Sequence, residues 1–242
     1  MENLGDNGEC RNHNLGATAL TQQFGDVSMD LEVPAGVWNP TPHGIHLANM
    51  IVSQEFTGMN VLELGTGCGI HAILIARQGA ARMTLTEIDA SIGECALHNC
   101  TKNGVRIPLE MMTADWTQLG PLGGGPGPFD AIVANPPYAM SGKRYRRYFI
   151  DTLIMEAHKL LKPGGMLFFV QSSMADIPRS IRAMEEWGMT VEIVGETDQP
   201  FRDYYHQDPV YMKEMAAIPG AYTVRDGVHH ERLITFRAWL PE

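Results

Sequence analysis

The stretch Val61-Leu62-Glu63-Leu64-Gly65-Thr66-Gly67-Cys68-Gly69-Ile70 constrains this chain more than any other. Its first four residues suit a buried strand. Three glycines at alternate positions then require a tight turn, and the apolar run at 70–78 suits a helix. A strand that breaks into glycine and restarts as a helix leaves backbone bare of Cβ atoms, so a cofactor can approach it closely. A chain built around this unit is expected to be α/β, and 242 residues suit one such domain.

The alternation continues downstream. Strand-like runs at 61–64, 82–88, 109–113, 129–134 and 166–171 interleave with helix-like runs at 70–78, 91–102, 147–161 and 176–187. This order predicts a doubly wound, mostly parallel sheet with helices on both faces. Asn103-Gly104 and Lys162-Pro163-Gly164-Gly165 are expected to end the helices before them. Runs at 189–195 and 231–239 read as a closing strand pair. The segment between them, 196–228, holds Phe201, Tyr204, Tyr205, His206, Tyr211 and Tyr222, and its length implies a function or a helix of its own.

Residues 1–23 are rich in Asn, Gly and Thr and lack periodicity, so a flexible tail is expected there, with 24–242 as the domain. Val27 to Val33 alternates apolar and polar, as a half-buried strand does. A proline-stiffened loop then leads to an amphipathic helix at 43–53, completing a short N-terminal extension. Residues 121–128 read as a Gly/Pro loop.

Net charge is −10, which opposes broad binding to a phosphate backbone. Cys10, Cys68, Cys95 and Cys100 form no C-x-x-C pair and are expected to be reduced, in a cytoplasmic protein. No leader pattern opens the chain, and no apolar run nears the ~20 residues that span a bilayer. His43 and His46, and the adjacent His229 and His230, lack a third partner at metal-ligand spacing, so no metal is expected.

The glycines favour one cofactor over another. A dinucleotide loop reads G-x-G-x-x-G, whereas here position 70 is Ile and the glycines alternate. Glu63, inside the first strand, suits a ligand with a cationic amino group. Glu87 ends the second strand and can accept from both ribose hydroxyls, with Asp89 as its competitor. Asp115 follows the third strand and suits an exocyclic amine, while Trp116 offers a face for a ring. Three acids at successive strand ends converge on the crevice where such sheets bind ligands.

Asn135-Pro136-Pro137-Tyr138 closes the fourth strand. An Asn oxygen and the Pro136 carbonyl can accept both hydrogens of a planar –NH₂ and aim its nitrogen lone pair, while Tyr138 can stack on the group. Together with Glu63 to Gly69, Glu87-Ile88-Asp89 with Asn99, and Asp115-Trp116, this motif resembles class I S-adenosylmethionine-dependent methyltransferases. The resemblance covers roughly residues 27–239. It implies a seven-stranded Rossmann-like sheet with the last strand antiparallel. By it, Glu63, Gly65, Gly67 and Gly69 would hold the methionine moiety, Glu87 the ribose, with Ile88 beside it, and Asp115 with Trp116 the adenine. Asn135 would serve both cofactor and acceptor, with Pro136 and Tyr138 completing the catalytic turn.

The motif is similar to that of amino-methyltransferases acting on planar nitrogens, and most to the release-factor glutamine methyltransferase group. The stretch Val33-Pro34-Ala35-Gly36-Val37-Trp38-Asn39-Pro40-Thr41-Pro42 matches that group as well. The leading acceptor is a small molecule or amino-acid-like group bearing an amide, guanidine or amine. A protein or peptide glutamine follows, then an RNA or DNA adenine amine. A cofactor-binding partner subunit without catalysis stays open. Trp38, Tyr138, Arg144, Tyr204 and His206 are candidate acceptor contacts. The basic run Lys143 to Arg147 is either a solvated helix start or a clamp for a compact anion.

Overall fold

The structure is a computed structural model that describes residues 16–37, 39–118, 127–137 and 147–242; the side chain of Tyr204 is outside that description. In chain order the elements are β1 (Thr18–Phe24), β2 (Val27–Val33), α1 (Pro42–Ile51), β3 (Asn60–Leu64), α2 (Ile70–Arg77), β4 (Arg82–Glu87), α3 (Ala90–Lys102), β5 (Leu109–Thr113), β6 (Phe129–Ala134), α4 (Tyr148–Leu160), β7 (Leu161–Ser172), α5 (Ile177–Glu186), β8 (Thr190–Pro200), α6 (Pro209–Ala216), β9 (Thr223–Arg225) and β10 (Val228–Trp239).

Seven strands run in the order β5-β4-β3-β6-β7-β10-β8, and the short β9 pairs with β10 as an eighth. The pairs β5/β4, β4/β3, β3/β6 and β6/β7 are parallel. β10 runs antiparallel to both β7 and β8. The Rossmann-like sheet with an antiparallel last strand is therefore present. One core packs α1, α2, α3 and β2 on one face, around Leu47, Ile73, Leu31 and Val133. The other packs α4 and α5 on the opposite face, around Leu62, Ile132, Ile154 and Phe236.

Two expectations need correction. Residues 18–23, read as tail, form β1, which pairs along its whole length with β2. Phe24 is its one fully buried side chain. The strand exists because β2 offers it an edge, so its own sequence shows little apolar period. The Lys162-Pro163-Gly164-Gly165 stretch does not end a helix by a turn; it lies within β7, and Gly164 N–H donates to the Pro241 carbonyl. The 196–228 segment does carry a helix of its own, α6, capped by Asp208, whose carboxylate accepts from Val210 and Tyr211 N–H. Phe201, Tyr205, Tyr211 and Met215 of this segment bury together against Met174 as core.

β2 reaches the main domain through amides. Asn99 on α3 donates to the Glu32 carbonyl and accepts from the Glu32 N–H, both at 2.9 Å. One turn later Asn103 repeats the pair with Asp30, again at 2.9 Å. Two side-chain amides thus mimic a neighbouring strand and close the free edge of β2.

Candidate active site

β3 delivers the chain to the glycine turn. Gly65, Gly67 and Gly69 have φ of 72°, 54° and 85°, the left-handed region that costs other residues about 1–2 kcal/mol each. Gly69 has a second constraint. A Cβ there would lie 3.0 Å from the Ala96 carbonyl oxygen and 3.2 Å from its Cα, so glycine lets α3 pack against the turn. At Gly67 a Cβ would meet nothing within 4 Å, so it would project into open space. Hydrogen bonds fix the turn to its neighbours: Thr66 N–H to the Thr86 carbonyl, Gly65 N–H to Thr86 Oγ1, and Asn99 Nδ2 to the Cys68 carbonyl.

Glu87 ends β4 beside this turn. Its two oxygens accept from Gly67 N–H at 3.0 Å and Ile88 N–H at 2.9 Å. Ile88 is 70% exposed, an apolar surface at the rim. Asp89 faces elsewhere and caps α3 through Ser91, so the competitor of Glu87 has a structural task. Asp115 accepts from the Thr117 N–H and hydroxyl and from the Gln118 amide. Burial pushes its carboxyl up, but these donors outweigh it and hold the group below its usual range. Trp116 Nε1 stands 3.9 Å from the position of a Cβ on Gly65, and its ring leans on Phe149 at 5.8 Å. Phe149 gave no sequence signal; it meets Trp116 because α4 begins beside that ring.

Glu63 has partners the sequence did not show. It is 1% exposed, with one oxygen accepting from Thr66 Oγ1 at 2.8 Å and the other 3.2 Å from His71 Nδ1. His71 Nε2 in turn lies 2.9 Å from the Gly44 carbonyl. The carboxylate is therefore engaged from within the fold.

Asn135 follows Ala134, which pairs with both Leu64 and Phe169, so it emerges at the carboxyl edge next to the glycine turn. Pro136 is buried and Pro137 exposed. A Cβ on Gly44 would come within 3.4 Å of Asn135 Nδ2, so glycine in the first turn of α1 leaves room for the amide. Trp38, Tyr138 and Arg144 lie outside the described residues, as does the Tyr204 side chain. His206 is exposed, and rings face it: Phe201 at 5.8 Å and His229 at 5.0 Å. Of the basic run, Arg147 is described, and it turns inward. It bonds Asp151, Ser180 and the carbonyls of Ala175 and Asp176, tying α4 to α5 rather than clamping an anion. Among the described residues no group of His, Cys, Asp and Glu has metal-holding geometry, and no helix is long and apolar enough to cross a membrane.

A glycine turn bare of side chains, a carboxylate at the next strand end bonded to it and an indole beside it lie together. Residues 45–201 match the methyltransferase small domain family. This chain belongs to that family. It is 27% identical over 188 residues to a proposed protein N5-glutamine methyltransferase of Methanocaldococcus jannaschii, a match covering 72% of this chain and 91% of that one. It is 30% identical over 130 residues to the release factor glutamine methyltransferase of Chlorobaculum tepidum, covering 46% of this chain and 44% of that one. Among solved structures, the T. thermophilus 16S rRNA N2 G1207 methyltransferase in complex with S-adenosylmethionine and guanosine superposes with a TM-score of 0.54 at 17% identity. That match covers 90% of this chain and 50% of the other.

The chain is thus an S-adenosylmethionine-dependent methyltransferase. The site fits that cofactor on its own geometry. The open Cα face of Gly67 admits close approach, and Trp116 offers a ring surface beside Gly65.

Proposed function

We propose that this methyltransferase acts on a planar nitrogen, and that the acceptor is the side-chain carboxamide of a protein glutamine. The observation that carries the reading is the placement of Asn135 and Pro136. They end the strand beside β3, so an amide held there lies next to the turn that receives the cofactor. A carboxamide offers two hydrogens, which the Asn135 side-chain oxygen and the Pro136 carbonyl can accept together. When bound, S-adenosylmethionine supplies an electrophilic methyl on a sulfonium. The protein's task is to orient the nitrogen so that an N–CH₃ bond forms as the S–CH₃ bond breaks, the amide proton leaving afterwards to solvent. Positioning is the main contribution asked of these residues.

The small acceptor ranked first on sequence now stands behind protein glutamine, because a relative that matches 72% of this chain is named for protein glutamine. The net charge of −10 favours protein over RNA. The ribose is assigned to Glu87, the adenine to Asp115, Trp116 and Ile88, and the methionine end to the Gly65–Gly69 backbone. The test is transfer of labelled methyl from the cofactor into glutamine-containing peptides, free amino acids and ribosomal RNA in parallel. Label in peptide that disappears when the glutamine is changed to glutamate supports the reading; label confined to RNA or to free amino acids sinks it. Asn135→Ala should lower turnover about 100-fold or more while cofactor affinity holds.

A further inference from the structure

The first turn of α1 touches the Asn-Pro-Pro turn on one side and β10 on the other. Gly44 adjoins Asn135, as described above. The preceding residue, His43, faces Glu231, with Nε2 3.7 Å from Glu231 Oε2. Both atoms are buried, and neither has a hydrogen-bond partner among the described residues. Glu231 is 2% exposed, and its other oxygen accepts from the Tyr205 hydroxyl at 3.3 Å. Glu231 lies two residues before Leu233, which pairs with Ser172 at the end of β7. It therefore sits at the same edge of the sheet as Asn135, two strands away along β6-β7-β10.

A buried carboxyl oxygen and a buried imidazole nitrogen without partners are costly. At 3.7 Å they are too far apart for a hydrogen bond. Neither atom presents surface to water. An approach of just under an ångström would satisfy both, with one proton between them. The un-ionised carboxyl of Glu231 donating to the neutral imidazole places no net charge in this desolvated spot. The surroundings agree. Burial holds Glu231 above its usual range against the pull of Ser172, Arg202 and Tyr205. Burial, with the charge of Arg202 and the nearby His46, holds His43 down at about 3. These are the groups facing the pair: His46 from α1, Arg202 and Tyr205 from the 196–228 segment, and Ser172 from β7.

We propose that Glu231 and His43 form a latch in which the carboxyl proton bridges the two side chains and fixes the first turn of α1 against β10. Closing it sets where Gly44 stands and so where Asn135 presents its amide. Glu231 is a positioning residue, acting on the acceptor through His43, Gly44 and Asn135; this rests on the acceptor role given to Asn135 above. Tyr205 extends the effect, since its ring packs on Phe201 at 5.2 Å and Tyr211 at 5.3 Å, joining the latch to the core of the 196–228 segment.

The first test is infrared difference spectroscopy of the whole protein at neutral pH, wild type against Glu231→Gln. The carbonyl stretch of an un-ionised carboxyl, lost in the variant, is expected. A difference spectrum showing only an ionised carboxylate overturns the proposal. This reading needs no acceptor, so it stands apart from the glutamine assignment. The second test is kinetic, with whichever acceptor takes the methyl. Glu231→Gln keeps an N–H donor for His43 and should hold the acceptor KM within about twofold. Glu231→Leu removes the donor and should raise that KM about tenfold with cofactor affinity unchanged. The wild-type KM should rise as pH increases through the Glu231 titration, and the Gln variant should not follow it. An acceptor KM in Glu231→Leu equal to wild type overturns the positioning role. Should the Leu variant not fold, a Glu231→Gln variant with the same pH-dependent KM as wild type does so equally.

Discussion

The imidazole of His71 stands between the Glu63 carboxylate, 3.2 Å from Nδ1, and the Gly44 carbonyl, 2.9 Å from Nε2. With Thr66 on the other oxygen of Glu63, these short polar contacts run from the glycine turn to the first turn of α1. The glycine turn and the wall beside Asn135 are therefore joined through the interior. His71→Leu would leave the buried Glu63 facing Thr66 alone. Removing one partner of a buried polar pair should cost about 3 kcal/mol. For a chain of this size that lowers the melting temperature by about 10 °C. Adding Glu63→Gln removes the stranded charge, so the double variant should lose less than the sum of the two single changes. Additive losses in urea unfolding would show that the two side chains do not depend on each other.

Two glycines of one motif should fail in different ways. Gly69→Ala drives a methyl into the Ala96 backbone at 3.0–3.2 Å in a left-handed conformation. It should destabilise the fold by about 2–3 kcal/mol. Gly67→Ala meets no protein atom within 4 Å, so only the conformational cost of about 1 kcal/mol applies. Its methyl would instead stand where a cofactor approaches. Thermal unfolding and cofactor calorimetry, run on both variants, should separate them: Gly69→Ala loses stability first, and Gly67→Ala loses affinity first. Equal losses of affinity at equal stability would refute the division.

Periodic apolar runs made the parallel sheet legible. The glycine turn was legible too, because only glycine tolerates three left-handed positions in five residues. What escaped was decided across the chain rather than along it. β1 is polar and is a strand because β2 lies beside it. The proline and glycines after Lys162 look like a helix stop, yet Leu161 pairs with Phe129 across the sheet. Arg147 reads as a free cation among other cations until Asp151, Ser180 and two carbonyls surround it. His71 reads as one more helix residue, and its role depends on Gly44, 27 positions away. The acids do stand at or just after the ends of successive strands, but Glu63 and Asp115 spend hydrogen bonds on their own neighbours, which no spacing rule shows.

Asn99 and Asn103 offer a contrast of burial. Asn99 is fully buried and makes bonds to Glu32 on both sides of the peptide plus one to the Cys68 carbonyl. Asn99→Leu should cost about 3 kcal/mol, since three backbone groups lose their partner together. It should also loosen the glycine turn, so cofactor affinity falls with it. The bonds of Asn103 to Asp30 are solvent-exposed, so Asn103→Ala should cost about 1 kcal/mol and leave the cofactor alone. Hydrogen exchange should report faster opening of β1 and β2 in both variants, and of the Cys68 turn only in Asn99→Leu. Unchanged exchange in the hairpin would mean that the amides do not hold it.

The buried histidines of α1 set the response to acid. Burial depresses His43 to about 3 and lowers His46 as well, each against an unfolded value of 6.5. Below pH 6.5 the unfolded chain takes up protons that the folded chain refuses, so stability is full above that pH and is lost as pH falls toward about 3. Asp130 adds to the loss at lower pH. Burial raises it, but Lys162 and the Asn60 N–H outweigh burial and hold it below its usual 3.8. Its contribution is present above that value and fades as pH drops through the folded one. Glu231 opposes both: burial raises its value above 4.5, so its contribution is present below 4.5 and fades as pH rises through the folded value. The urea midpoint should accordingly begin to fall near pH 6.5, before ordinary carboxylates titrate. His43→Gln should make the curve shallower from roughly pH 6.5 down to about 3. A His43→Gln curve that runs parallel to wild type through that interval would show that His43 takes up its proton in the folded state, and with it the neutral partner that Glu231 requires would be gone.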